Sequence, residues 1–272
     1  MNKILIEPSK GWRSFSLSEA WEYRELLYFL IWRSIKLRYK YAIIGVTWVV
    51  LQPILGALIF SFIFGRLIKL SSEGHPYLIF VYCAFLPWNL FANALGKTTD
   101  GLLINRNLIT KVYFPRIIIP VAIVIENFLD FFISLLVCAA LFLIYKVNFS
   151  LNLLALPFFI ALTLIITIGF GFWFSALNVK YRDVRYAVPF LIQIWFFSSP
   201  VAYGSTIIPE KWLFLYALNP IVGIIDGFRW SLLGEATNLP STLPVSVAVS
   251  FIIFFVGLFY FLKTESHLTD II

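Results

Sequence analysis

The sequence predicts an all-α integral membrane protein of about six transmembrane helices, with an N-terminal amphipathic interface helix and a re-entrant helix pair before the last span. Three observations predict it. Of 272 residues, 61% are hydrophobic and 13% charged, with a mean hydropathy of +0.90, whereas soluble chains are roughly half apolar and a quarter charged. Uncharged stretches close to the ~20 residues of a spanning helix recur along the chain. Lys and Arg gather in alternate connections between those stretches.

The first forty residues form an arm, expected on the cytoplasmic side. Its start, MNKILIEPSKGWR, has neither the apolar core nor the small-residue cleavage site of a secretory signal. Ser16 with Glu19 makes a possible capping box. After it, Glu22, Glu25, Arg33, Lys36 and Lys40 recur at three-and-four spacing, so a helix gathers them on one narrow face. Trp21, Tyr23, Leu27, Leu30, Ile31 and Ile35 take the rest, the pattern of a helix lying in the membrane interface. Its basic end, Lys36, Arg38, Tyr39 and Lys40, is suited to an anionic lipid headgroup or diphosphate.

The transmembrane domain is expected over residues 41–264, with a short cytoplasmic tail at 265–272. Ile43–Phe64, Pro76–Leu95, Leu151–Leu177, Tyr186–Tyr203 and Leu243–Leu262 are uncharged windows, and Ile117–Tyr145 is a sixth that carries two acids. Leu213–Leu233 is apolar but broken by Asn219-Pro220, Asp226, Gly227 and Arg229, which reads as the re-entrant or interfacial pair. With six spans, 16 Lys and Arg fall on one side and five on the other, placing both termini in the cytoplasm. The formal charge of +7 is therefore topological rather than a nucleic-acid footprint.

Several chemistries find no support. Gly96-Lys97-Thr98 ends like a phosphate-binding loop, but position 91 is Phe where the pattern requires Gly. There is no nucleophile elbow or dinucleotide loop, and His75 and His267 stand apart from any Cys or carboxylate at metal-ligand spacing. Cys83 and Cys138 lie in apolar stretches, where a thiol packs as a small hydrophobe. The chain is expected to catalyse no covalent step and to bind no cofactor or metal. Energy for transport must then come from an ion gradient or from another polypeptide.

Two basic-side loops carry partner candidates. Lys97–Arg116 interleaves apolar residues with Asp100, Arg106 and Lys111, suiting a short amphipathic helix that docks on a soluble partner or rests on headgroups. Asn178–Arg185 is short and strongly charged, suited to anchoring or to partner contact. The strings LRYKYAIIGVTWVVLQPIL, PYLIFVYCAFLPWNLFANAL, NRNLITKVYFPRIIIP, SALNVKYRDVRYAVPFLIQIWFFSSPVAY and LYALNPIVGIIDGFRWSLLG resemble the permeases of type 2 ABC exporters that move O-antigen, capsule or teichoic acid chains. They cover most of residues 37–234 in the family's order. The resemblance implies a homodimer in the bacterial inner membrane, standing on two copies of an ABC ATPase that binds ATP and Mg. It also implies ATPase coupling through Asn105, Arg106, Lys111 and Arg116, and through Lys180, Arg182, Asp183 and Arg185.

Aromatic residues are 19% of the chain, more than two interfacial belts require. Flat rings suit the C–H faces of sugars, and Phe85, Trp88, Phe91, Phe172, Trp173, Trp195 and Phe196 are the channel candidates. Glu126 and Asp130 lie about 14 and 20 Å along their helix from Ile117. At roughly 2.5–3.5 kcal/mol per buried charge, such acids must face protein or water. They read either as structural groups, held by an ion pair or hydrogen bond or with one acid protonated, or as the relay of an ion-coupled lipid or glycan flippase. The leading expectation is a permease exporting a lipid-diphosphate-linked polysaccharide, with a drug or other lipid as the same architecture's alternative cargo. A membrane glycosyltransferase ranks last, because Glu73, Glu210, Asp226 and Glu235 sit in no motif.

Overall fold

The computed structural model describes residues 21–40, 45–148, 151–234 and 238–271; the capping box at Ser16 and Glu19 and the side chain of Tyr39 lie outside the described residues. Among the described residues every regular element is helical. The order is α1 (Arg24–Lys40), α2 (Gly45–Phe60, continuing as a π-helix over Ser61–Leu67), α3 (Tyr77–Ile104), α4 (Arg106–Ile109) and α5 (Ile118–Tyr145). Then come α6 (Leu156–Lys180), α7 (Val184–Ser198), α8 (Glu210–Ala217), α9 (Pro220–Leu233) and α10 (Leu239–Ile271).

Among the described residues, five helices are long and apolar enough to cross a membrane: Thr47–Leu67, Tyr77–Ile104, Ile118–Tyr145, Leu151–Lys180 and Leu239–Glu265. The expected window Tyr186–Tyr203 behaves differently. Its helix, α7, has 15 residues, about 22 Å at the helical rise and short of a ~30 Å hydrocarbon core. The cause is local: Pro200 forces Ser199 out of the helical region, to φ −109° and ψ 152°. Helix α10 runs unbroken from Leu239 to Ile271, so the segment after residue 264 continues the helix of the last span.

The helices alternate in direction, which sorts the connections to two ends. At one end the Arg116 backbone N–H donates to Glu265 Oε1 (2.8 Å), and Asn178 Nδ2 donates to the Thr99 carbonyl (2.9 Å). At the other end the Tyr77 hydroxyl donates to the Ala202 carbonyl and Asn238 Nδ2 donates to the Ser205 carbonyl (2.9 Å). The first end carries the Lys- and Arg-rich connections and is called the basic end below.

The middle of the molecule is α3, whose spanning window is 83% buried against 11% for that of α2. Helices α2, α5, α6, α7 and α9 pack around it. Helix α10 lies along α6, and glycines set how closely. A Cβ on Gly169 would meet the Phe254 backbone at 2.6 Å, and one on Gly257 would run into the Gly169 carbonyl. Small residues at a helix crossing allow this approach in lipid, where dispersion contacts rather than hydrophobic burial drive association.

Helix α9 has the start and stop its sequence dictates. Asn219 Oδ1 accepts from the Ile221 N–H (3.2 Å), Pro220 occupies the first turn, and Gly234 closes the helix at φ 81°. Almost every residue of α9 is buried. The apolar, broken stretch before the last span is therefore a helix pair, α8 and α9, with α9 packed against α3, α6 and α10.

Candidate functional site

The N-terminal helix and the two intramembrane acids form one site. Arg38, in the last turn of α1, donates through one terminal nitrogen to Glu126 and through the other to Asp130, both on α5. Lys97 of α3 donates to Asn127 Oδ1 (2.8 Å) and lies 3.8 Å from Glu126. The cluster sits about 10 Å inside α3 and 12–18 Å inside α5, counted by helical rise from their basic-end termini. Its side chains are mostly sheltered: Arg38 is 24% exposed, Glu126 10% and Asp130 20%. Two carboxylates at that depth are tolerable because two cations meet them.

Arg38 was expected to face a headgroup with its neighbours, whereas the structure commits it to the acids. Lys36 and Lys40 are exposed on the same helix, and Lys40 has an interaction of its own. Leu30 is buried against the basic-end core, while Trp21, Tyr28, Phe29 and Trp32 are more than half exposed. That aromatic exposure matches a helix lying at a headgroup boundary.

The coupling candidates divide. Helix α3 runs to Ile104, so the first part of the loop expected over Lys97–Arg116, Lys97 to Ile104, is instead its last two turns. Only the four residues of α4 are a separate helix, which Asn105 joins to α3 by donating from Nδ2 to the Gly101 carbonyl (2.9 Å). Arg106 and Lys111 are exposed. Arg116 is instead held to α10, its guanidinium donating to the Glu265 carbonyl. In the second loop Lys180, Arg182, Asp183 and Arg185 are exposed. Its backbone is fastened by Asn178 Oδ1, which accepts from the Arg185 N–H (3.2 Å), and Arg185 Nε lies 3.9 Å from Asp100. Asn178 thus ties the two loops together, since its Nδ2 also donates to Asp100 (3.0 Å).

The aromatic candidates form one packed layer with an outlier. Phe85, Trp88 and Phe91 of α3 meet Trp195 and Phe196 of α7, with ring centroids 5.3 Å apart for Trp88 and Phe196 and 5.6 Å for Phe91 and Trp195. Phe170, not singled out beforehand, bridges Trp195 at 4.9 Å and stacks on Trp173 at 6.4 Å. Phe85, Trp88 and Phe91 are buried within the chain, whereas Trp173, Trp195 and Phe196 are half-buried. Phe172 stands apart, packed on Phe254 and Phe261 of α10. Two residues along a helix is about 200° of rotation, so Phe172 must face away from Phe170.

A second buried charge was visible only as a break in hydropathy. Arg229 of α9 is fully buried. It donates to the carbonyls of Phe80 (3.3 Å), Tyr203 (2.9 Å) and Val201 (3.0 Å) and lies 3.6 Å over the Phe80 ring. These contacts satisfy the irregular backbone after α7, the condition for non-helical chain at membrane depth. Asp226, one turn earlier, is also fully buried.

Residues 25–233 match the family described as ABC-2 type transporter. The chain is 29% identical over 213 residues to the O-antigen export system permease protein RfbA of Myxococcus xanthus, covering 78% of this chain and 81% of the relative. It is 28% identical over 249 residues to a protein of the same name from Klebsiella pneumoniae, covering 91% and 95%. Similarity extends at 20% identity over 243 residues to the polysialic acid transport protein KpsM of Escherichia coli, covering 89% and 94%.

Proposed function

Because the chain belongs to the ABC-2 type transporter family, we propose that it is the transmembrane permease of an ATP-driven exporter that carries a lipid-diphosphate-linked, O-antigen-like polysaccharide across the bacterial inner membrane. The observation that carries this reading is the similarity to O-antigen export permeases along nearly the whole chain. Two copies of this chain work with two copies of a separate ATPase, which binds ATP and Mg. Both termini and the basic end face the cytoplasm, in accord with the distribution of Lys and Arg.

The arrangement suggests how hydrolysis elsewhere reaches the cargo. Exposed Arg106 and Lys111 follow directly on α3, and the exposed loop from Lys180 to Arg185 is fastened to the same end of α3 through Asn178 and Asp100. A push from the ATPase on these loops therefore acts on one helix. Helix α3 is about 42 Å long and buried for most of that length, so it moves as a rod. Its displacement shifts Phe85, Trp88 and Phe91 against Trp195 and Phe196, the layer over which sugar rings would pass.

An ion-coupled carrier would need Glu126 and Asp130 available for proton or cation exchange. Their engagement with Arg38 and Lys97 favours the ATP-driven reading. The test is reconstitution in proteoliposomes with a partner ATPase that co-purifies with the chain. ATP should drive lipid-linked glycan across the bilayer, and transport driven by an ion gradient without the ATPase would replace this function with the carrier.

A further inference from the structure

The Arg38 cluster has one more cation than clasping α1 to α5 requires. Arg38 alone bridges Glu126 and Asp130, yet Lys97 also lies 3.8 Å from Glu126 and is steadied by Asn127. Arg38 spends its two terminal nitrogens on two separate anionic groups, which is how a guanidinium fork meets the two phosphoryl groups of a diphosphate. Beside the cluster is a crevice of about 40 Å³ lined by Leu30, Arg33, Ile123 and Glu126 among others. It holds a water or two and is too small for a headgroup. An anion binding here must therefore take the place of the carboxylates rather than sit next to them.

We propose that Arg38 is a diphosphate-binding site whose resting occupants are the protein's own carboxylates, Glu126 and Asp130. A diphosphate draws Arg38 off the acids, and Lys97 stays behind as their counter-ion. The substrate thereby loosens α1 from α5, so engagement of the headgroup and release of the interface helix are one event. This inference rests on the proposed lipid-diphosphate cargo. It goes beyond that reading in assigning the intramembrane acids the role of internal competitor and Lys97 that of reserve cation.

The experiment measures binding of a polyprenyl diphosphate to the full chain in nanodiscs, without ATPase or ATP. E126Q/D130N removes the competitor and should bind about tenfold more tightly, the worth of roughly one charge-assisted hydrogen bond. K97Q removes the reserve cation from beside Glu126, makes Arg38 costlier to withdraw, and should bind several-fold more weakly. Adding Arg38→Gln to E126Q/D130N removes the proposed ligand while leaving no acid unpaired, and should abolish that gain in diphosphate binding. Challenge with about a hundredfold excess of inorganic diphosphate separates the sources. A bound lipid that resists displacement assigns the site to a membrane-borne headgroup, and displacement assigns it to a soluble diphosphate.

Unchanged or weaker binding by E126Q/D130N in folded protein overturns the proposal, as does equally tight binding once Arg38→Gln is added to it. Because these assays need no transport, their failure beside intact export leaves the permease reading standing. Loss of ATP-driven export beside intact binding counts against that reading instead.

Discussion

Arg229 and Arg38 are both buried cations in an apolar chain, and they stabilise it in different ways. Arg229 serves main-chain carbonyls at Phe80, Val201 and Tyr203, and removing it takes this donor from the Val201 and Tyr203 carbonyls, which lie outside any helix. Arg229→Met should cost at least roughly 3 kcal/mol, read as a large fall in melting temperature in detergent. Arg229→Lys should recover little, because an ammonium lacks the planar fork that spans three carbonyls. A methionine variant that melted with wild type would refute the account. Arg38 serves side chains that are partly wet, so solvent screening reduces its worth. Arg38→Gln should cost roughly 1–2 kcal/mol, and much less in an E126Q/D130N background, where no charge is left unpaired. The sequence announced Glu126 and Asp130 as acids in need of a partner. It did not reveal Arg38 as that partner, because 88 and 92 residues separate them along the chain and only the folding of α1 onto α5 brings them together.

Among the helices, the α6 and α10 crossing and the α3 terminus are the places where a small change should have a large consequence. Gly169 and Gly257 face each other so closely that a Cβ at either meets backbone. Gly257→Ala should push the helices apart and cost roughly 1–3 kcal/mol, seen as a lower melting temperature, whereas Gly96→Ala, which meets open space, should leave it unchanged or raise it. At the end of α3, Arg106→Glu reverses an exposed charge without touching the core. The permease should insert normally but co-purify with less ATPase, or support hydrolysis uncoupled from export. Unchanged complex and unchanged export would return Arg106 to the headgroups. The periodicity of the chain foretold these helices but misjudged two ends. Helix α3 continues into what reads as a loop, and α7 stops early at Ser199-Pro200. Hydropathy senses where charge begins, whereas a helix ends where its backbone geometry fails.

For the molecule as a whole, the purified chain should hydrolyse no ATP alone and acquire activity only with its partner ATPase; intrinsic hydrolysis by a clean preparation would overturn the division of labour. A reporter fused after Ile272 should stay inaccessible from outside intact cells, as the excess of Lys and Arg at the basic end requires. The all-helical membrane fold, the broken segment before the last helix and the resemblance to ABC exporter permeases were legible in the amino-acid order. Each follows from local quantities: apolar length, charge placement along the chain, and contiguous strings. Which aromatic rings share a layer, that Phe172 turns away from it, that Arg116 is bound to Glu265, and that Arg38 and Lys97 enclose Glu126 were not legible. Those facts depend on how helices rotate about their own axes and which neighbours they meet. That choice is made by the packing of the whole bundle around α3, not by any stretch of sequence short enough to read.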